Sequence, residues 1–219
     1  MPSWIHRLRY KFGRYYITNL MLYLIILQTA VYVFDYLFTG YGMSIADWLS
    51  FDRTLILQGQ VWRVLTFVAV PPMVNPVFML FFMICYYSLG KGVEGAWGGF
   101  FFNLFYLIGV VGSIIGGFIT GFATITFINL SIFLAYAALF PDATFLIMFI
   151  IPIKAKYLAY IDLVGLAIAL IITPFSMKLS IIISLLNIVL FFWGDYYPKI
   201  RDKFRYRKIR QTYKREMRR

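Results

Sequence analysis

The chain has 219 residues, 62% of them hydrophobic and 14% charged, with a formal net charge of +12. That is more apolar surface than one soluble domain of this length can enclose, so the composition excludes an ordinary globular enzyme and indicates a protein dissolved in lipid. The charge does not indicate nucleic acid: Arg7, Arg9, Lys11 and Arg14 precede the first apolar run and eleven basic residues lie between Lys199 and Arg219, two clusters that read as cytoplasmic flanks facing anionic headgroups.

Residues 1–16 form a basic-aromatic arm that reads as an interfacial helix, with Trp4, Tyr10 and Tyr15 at headgroup depth. A membrane domain is expected over 17–195 and a basic cytoplasmic tail over 196–219. The first span runs from Ile17 to Phe38, too long and too aromatic for a signal-peptide core, and Thr39-Gly40 ends it. The stretch 41–70 carries Asp47, Asp52, Arg53, Gln58, Gln60 and Arg63, which is too polar for a plain span. Backbone at membrane depth must satisfy its own hydrogen bonds, so a hairpin or short helices in the outer interface are expected there, with Trp62 and Arg63 anchoring a helix end or fixing the loop against the helices.

The second span is expected over Val74–Leu89, followed by a glycine-rich turn, Gly90-Lys91-Gly92-Val93-Glu94-Gly95-Ala96-Trp97-Gly98. Glu94 in that turn is suited to accept free backbone N–H groups at the head of a neighbouring helix. The third span, Phe101–Ile119, carries Gly109, Gly112, Gly116 and Gly117, a spacing that lets another helix approach closely. The fourth, Thr124–Phe140, contains Thr126, Asn129 and Ser131, which with Asn187 of the last span make up a polar intramembrane patch. Phe145 to Pro152 is apolar but too short to cross and reads as a re-entrant or interfacial piece. The fifth and sixth spans are Tyr157–Ile172 and Leu179–Trp193. Six spans place the N-terminal arm, Lys91, Lys154, Lys156 and the tail on one side, so both termini are expected to be cytoplasmic. Cys85, the only cysteine, has no partner for an intramolecular disulfide and reads as a small buried hydrophobe.

Three ordered motifs stand out: Gly59-Gln60-Val61-Trp62-Arg63-Val64-Leu65-Thr66-Phe67, then Leu89-Gly90 through Glu94, Trp97 and Gly98, then Phe140-Pro141 followed by Ile151-Pro152-Ile153-Lys154-Ala155-Lys156. Together they cover about Leu20 to Trp193, and in order and content they resemble the rhomboid superfamily, the six-helix membrane fold of rhomboid proteases and of inactive relatives such as derlins. The resemblance implies an all-α polytopic membrane protein with six transmembrane helices, in which Trp62, Arg63, Gly90, Glu94, Gly98, Pro152 and Lys154 belong to structural or interaction motifs. The third motif looks like that of bacterial members, which implies a bacterial plasma membrane.

The chemistry departs from the family. Rhomboid proteases carry Ser in Gly-x-Ser-Gly near the start of the fourth span, His on the sixth, and His and Asn on the second. Here Thr124-Ile125-Thr126-Phe127 occupies the nucleophile region, Phe78 and Phe82 fall where the second-span pair belongs, and the single histidine is His6, in the N-terminal arm. A serine hydroxyl needs a base and donors aimed at the oxyanion, so Ser131 and Thr126 are weak nucleophile candidates, each more suited to bonding a carbonyl one turn back. No HExxH, CxxC, P-loop or glycine fingerprint appears, and no metal or cofactor is expected.

The function these residues imply is a pseudoprotease that binds transmembrane segments of client proteins without cleaving them, in membrane protein quality control or handling. Two alternatives stay open. One is an active intramembrane serine protease with an atypical site; the other is translocation of a lipid or small solute, against which stand the lack of an inverted repeat and the lack of basic partners for Asp35 and Asp162 within the spans. The expected partners are membrane lipids, client helices and a membrane protease; nucleic acid is not among them.

Overall fold

The computed structural model describes residues 10–72, 74–147, 151–174, 177–183 and 185–192. The first part of the basic arm, with Trp4 and His6, and the whole basic tail lie outside the described residues. Among the described residues the helices that follow the N-terminal arm are α1 (Leu20–Thr39), α2 (Ile45–Leu49), α3 (Arg53–Leu57), α4 (Arg63–Thr66), α5 (Pro76–Trp97), α6 (Gly99–Thr120), α7 (Thr126–Leu139), α8 (Ala155–Ile172) and α9 (Met177–Phe192). A single 3₁₀ turn, Phe67–Ala69, follows α4, and a two-stranded hairpin, β1 (Thr144–Ile147) and β2 (Ile151–Lys154), stands between α7 and α8. The chain is thus an α-helical bundle in which α1, α5, α6 and α8 are long and apolar enough to cross a membrane. This is the build of a membrane-embedded protein.

The short helix α7 is the centre of the bundle. Its 14 residues rise about 21 Å, less than the roughly 30 Å of a bilayer's hydrocarbon core. It packs against α5, α6 and α8 and buries Ile128, Ile132, Leu134, Ala135 and Ala137. In lipid, apolar side chains gain little by meeting one another rather than acyl chains, so close packing and interhelical hydrogen bonds do the holding. The glycine row of α6 serves that end. A Cβ on Gly112 would stand 2.6 Å from Ile183 Cγ2 and one on Gly116 2.7 Å from Ile183 Cδ1, so these glycines let α9 lie against α6.

One expectation is corrected. The stretch Gly90–Trp97 is not a turn but the last part of α5, which ends only at Gly98, whose φ of 90° and ψ of 151° suit glycine alone. Gly90 and Gly92 are there for packing: a Cβ on Gly90 would collide with the Met21 side chain of α1, and one on Gly92 would stand 2.5 Å from the Tyr136 ring of α7. The helix begins at Pro76 rather than Val74, with Asn75 Oδ1 accepting from Val77 N at 3.0 Å and the proline in the first turn, where its missing N–H costs nothing.

The apolar piece Phe145–Pro152, expected to be re-entrant or interfacial, takes strand form. It forms the hairpin, with Thr144 opposite Lys154, Phe145 opposite Ile153 and Leu146 opposite Pro152. Pro152 cannot donate to a ladder and is tolerated because a two-stranded ribbon leaves one side of each strand unpaired. The remaining boundaries agree with the sequence reading to within a few residues.

Candidate functional site

The segment 41–72 is built around Arg63. The side chain of Arg63 is only 4% exposed. Its Nε donates to Gln60 Oε1 at 2.6 Å, and its Nη1 donates to the carbonyls of Asp47 at 2.6 Å and Ser50 at 2.8 Å. The guanidinium therefore ties the end of α2 to the start of α4, which is the fork geometry that suits Arg and not Lys. Trp62 stacks obliquely on Trp48 with ring centres 5.3 Å apart, and Thr66 Oγ1 donates to Leu49 O at 2.9 Å. Asp35 of α1 accepts from Ala46 N at 2.9 Å and from Ser44 Oγ at 3.1 Å.

The loop does not merely rest at the outer interface. Gln28, midway along α1 and buried, donates to Val68 O at 3.2 Å, so the 3₁₀ turn reaches well into the span. Irregular backbone is tolerated at that depth where protein groups satisfy it. On the other side Arg53 Nη1 donates to Phe118 O at 3.1 Å, and the Phe51 ring sits over Gly117 and edge-on to Phe67 and Phe118. Asp52 caps α3. The Thr54 hydroxyl, the N–H groups of Leu55 and Thr54 and the charge of Arg63 hold its carboxyl below the usual carboxylate range.

At the opposite end, Glu94 Oε1 accepts from Asn19 N at 3.0 Å, at the head of α1. The carboxylate thus meets a neighbouring helix start, as its position in the sequence suggests, although it lies on a helix rather than in a turn. The residue that sequence reasoning missed is Asn103. Its Oδ1 accepts from Ile17 N at 3.0 Å and its Nδ2 donates to Ile17 O at 2.9 Å, so α6 pins the chain entering α1. Within an apolar run nothing distinguishes it from an ordinary polar residue. Trp97 packs on Phe105 and on Phe191 and Phe192, fastening the end of α9 to the α5–α6 joint.

The polar residues of α7 do not form one patch. Successive residues of a helix turn by about 100°, so Asn129 and Ser131 point about 160° apart, to nearly opposite sides. Ser131 and Asn187 line one small chamber between α6, α7 and α9, of about 10 Å³, together with Ser113 and Ser180, which the sequence did not single out. Ser131 Oγ donates to Ile128 O at 2.7 Å, and Asn187 Nδ2 donates to Phe105 O at 3.2 Å. Asn129 is buried elsewhere, with its Oδ1 unpartnered among the described residues. Thr126 is exposed, its hydroxyl 3.0 Å from that of Thr124. Phe78 is exposed, and the Phe82 ring packs on Tyr86 with centres 4.2 Å apart. The chamber thus brings together Ser131 and Asn187, with each engaging a backbone carbonyl, and no imidazole lies near Ser131 among the described residues.

Lys154 and Lys156 both pair with Asp142, at 3.3 and 3.0 Å, closing the base of the hairpin and keeping the Asp142 carboxyl below its ordinary range. The helix that follows, α8, is the most loosely held of the long helices. Its buried residues are Ala155 and Leu166, and it belongs to a small second core with Leu134 and Ile181 in which no residue of α5 takes part. Among the described residues no group of His, Cys, Asp or Glu gathers as a metal site.

These features define a membrane-embedded helical bundle with a structured loop and a small polar interior. Compared with protein-family models, curated proteins and solved structures, the chain matches none.

Proposed function

We propose that the chain is a rhomboid-like pseudoprotease of a bacterial plasma membrane, with six spans and both termini cytoplasmic, that takes the transmembrane segment of a client protein between α5 and α8 and holds it intact. The observation that carries this reading is the seam itself. The α8 helix is secured to α7 and α9 through Leu134, Leu166 and Ile181, whereas α5 belongs to the main core through Leu89 and Val93. A helix held on one side only is free to part from its other neighbour and admit a third helix. Asp162 of α8 and Tyr86 of α5 lie within electrostatic reach of each other and bring polar atoms to that seam. Polar groups in lipid favour segments that carry imperfectly buried polar side chains of their own.

The chamber chemistry supports a reading without cleavage. The Ser131 hydroxyl is spent on the Ile128 carbonyl, and Asn187, which faces the same space, is an amide and cannot take a proton as a base. The short spans α7 and α9 favour local thinning of the bilayer, which eases entry of poorly apolar segments. A client so held is available for release to a membrane protease.

The test uses the full chain in nanodiscs with a synthetic single-span peptide bearing one central Asn. Benzoylphenylalanine at Ile161 on α8 is expected to crosslink the intact peptide, whereas the same group at Leu107 on α6 does not, and a fluorophosphonate leaves the protein unlabelled. Equal crosslinking from both positions overturns the binding reading. Cleavage of the peptide, or labelling that vanishes in Ser131→Ala, makes the chain an active protease instead.

A further inference from the structure

A separate cavity opens away from the α5–α8 seam. It is a groove of about 840 Å³ between α1 and α6, with Leu20 and Leu27 on one wall and Leu104, Leu107 and Val110 on the other. At one end it is bounded by Tyr15 and Tyr16 of the N-terminal arm, and at the other by Leu65 and Val68 of the loop. We propose that this groove holds one anionic phospholipid of the leaflet facing the basic arm, with an acyl chain in the groove and the headgroup phosphate at Lys11 and Arg14.

Depth selects a lipid over a helix. From Phe100 to Val110 the α6 wall rises about 15 Å, which is half of a hydrocarbon core of roughly 30 Å. The far end is shut at that level, because the Gln28 side chain holds the Val68 carbonyl against the middle of α1. A spanning helix needs the whole thickness and would meet the loop, whereas an acyl chain of one leaflet ends there. Charge selects an anionic headgroup. The arm that closes the near end carries Lys11 and Arg14, both exposed, and the Glu94 carboxylate at the head of α1 is engaged by Asn19 N. Tyr106, which lines the groove, is 5% exposed, and its hydroxyl has no partner among the described residues, so the wall also holds a spare hydrogen-bond donor.

The lipid also has a mechanical role. Among the described residues no side chain fills the groove where the loop, the arm, α1 and α6 meet, so a resident acyl chain completes the packing around the 3₁₀ turn.

Native mass spectrometry of the detergent-solubilised full chain, titrated with dioleoylphosphatidylglycerol or dioleoylphosphatidylcholine, tests this. One phosphatidylglycerol per monomer is expected to be retained in preference to phosphatidylcholine. Replacing Lys11 and Arg14 by Gln is expected to weaken phosphatidylglycerol binding about thirty-fold, since each basic side chain near an anionic surface contributes roughly a factor of five. Leu107→Trp, at a position 57% exposed and so tolerant of bulk, fills the groove and is expected to weaken both lipids. Ile168→Trp on α8, 50% exposed, is expected to change neither. Equal binding of the two lipids by the wild type, or unchanged binding in the double Gln and Leu107→Trp variants, overturns the proposal. So does a dimer that Leu107→Trp converts to monomer, which would mean that a second copy occupies the groove.

Discussion

Replacing Arg63 by Met tests whether one buried guanidinium holds the loop in place. Met keeps much of the apolar stem but removes every donor, stranding the Ser50 carbonyl and the Gln60 amide oxygen and leaving the Asp47 carbonyl with the Ser50 hydroxyl alone, which donates to it at 2.8 Å. A buried acceptor left without a partner costs about 1–3 kcal/mol, so the one stranded carbonyl, that of Ser50, sets the expected loss at about 1–3 kcal/mol. Gln60 can turn toward solvent and adds little. Arg63→Lys is expected to recover about half of the loss, because an ammonium can reach one carbonyl but cannot bridge Gln60 and both carbonyls as a fork. The Trp48–Trp62 contact makes the loop's own fluorescence the reporter, and unfolding by increasing SDS in mixed micelles supplies the free energy. A loss below about 1 kcal/mol in Arg63→Met, with unchanged tryptophan emission, would show that the loop is held by its apolar contacts, such as Phe51 on Phe67, and the argument from hydrogen bonds would fail.

Gly112→Ala is expected to destabilise the protein by about 1–3 kcal/mol in the same assay, since the new methyl must displace Ile183. Adding Ile183→Ala should recover part of that loss, and Gly40→Ala, with nothing within 4 Å of the new methyl, should cost little. At Asp142 the carboxyl is depressed by hydrogen bonds from Lys156 and Lys154, so its contribution is fully present above the ordinary value of 3.8 and is lost as pH falls through the lower folded value. Hydrogen exchange at the hairpin amides should therefore be faster in Asp142→Asn than in wild type near neutral pH and equal to it in strong acid; a difference that persists in acid would exclude the ion pairs as its cause.

What could be read from the sequence divides along a physical line. Apolar runs and basic flanks gave the long helices, because lipid solubility is a local property of composition. The role of Glu94 was legible because a carboxylate has few uses beside a helix end. The helical state of Gly90 through Trp97 was not, because glycines in a row read as a turn until Met21 and Tyr136, distant in sequence, supply a reason for missing side chains. The hairpin escaped for a related reason: Thr144–Ile147 finds its partner only in Ile151–Lys154, and an apolar stretch without a period does not announce a strand. The polar residues of α7 read as a patch along the chain, whereas helical rotation disperses Thr126, Asn129 and Ser131 to different sides.

That dispersal leaves Asn187 as the decisive residue of the interior. It donates to a carbonyl, Phe105 O, that α6 can satisfy within its own helix, and its Oδ1 has no partner among the described residues. Leucine has the same branched shape. In Asn187→Leu the interhelical hydrogen bond, worth about 0.6–2 kcal/mol, is lost, and the buried unpaired acceptor, costing about 1–3 kcal/mol, is removed with it. The two nearly cancel, so the variant is expected to be as stable as wild type to within about 1 kcal/mol. Asn187→Ala loses the same bond but empties the space beside Gly109 and is expected to be the less stable of the two. A larger loss in the Leu variant would mean that Oδ1 is engaged in the folded protein. The consequence for function is separable from stability. A chamber of about 10 Å³ has no room for a client's backbone beside Ser131, so a client held at the α5–α8 seam never reaches Asn187. Crosslinking from Ile161 to the single-span peptide should then be the same in Asn187→Leu as in wild type, and a loss of crosslinking in that stable variant would show that the client penetrates to α7 and that the seam is only its entrance.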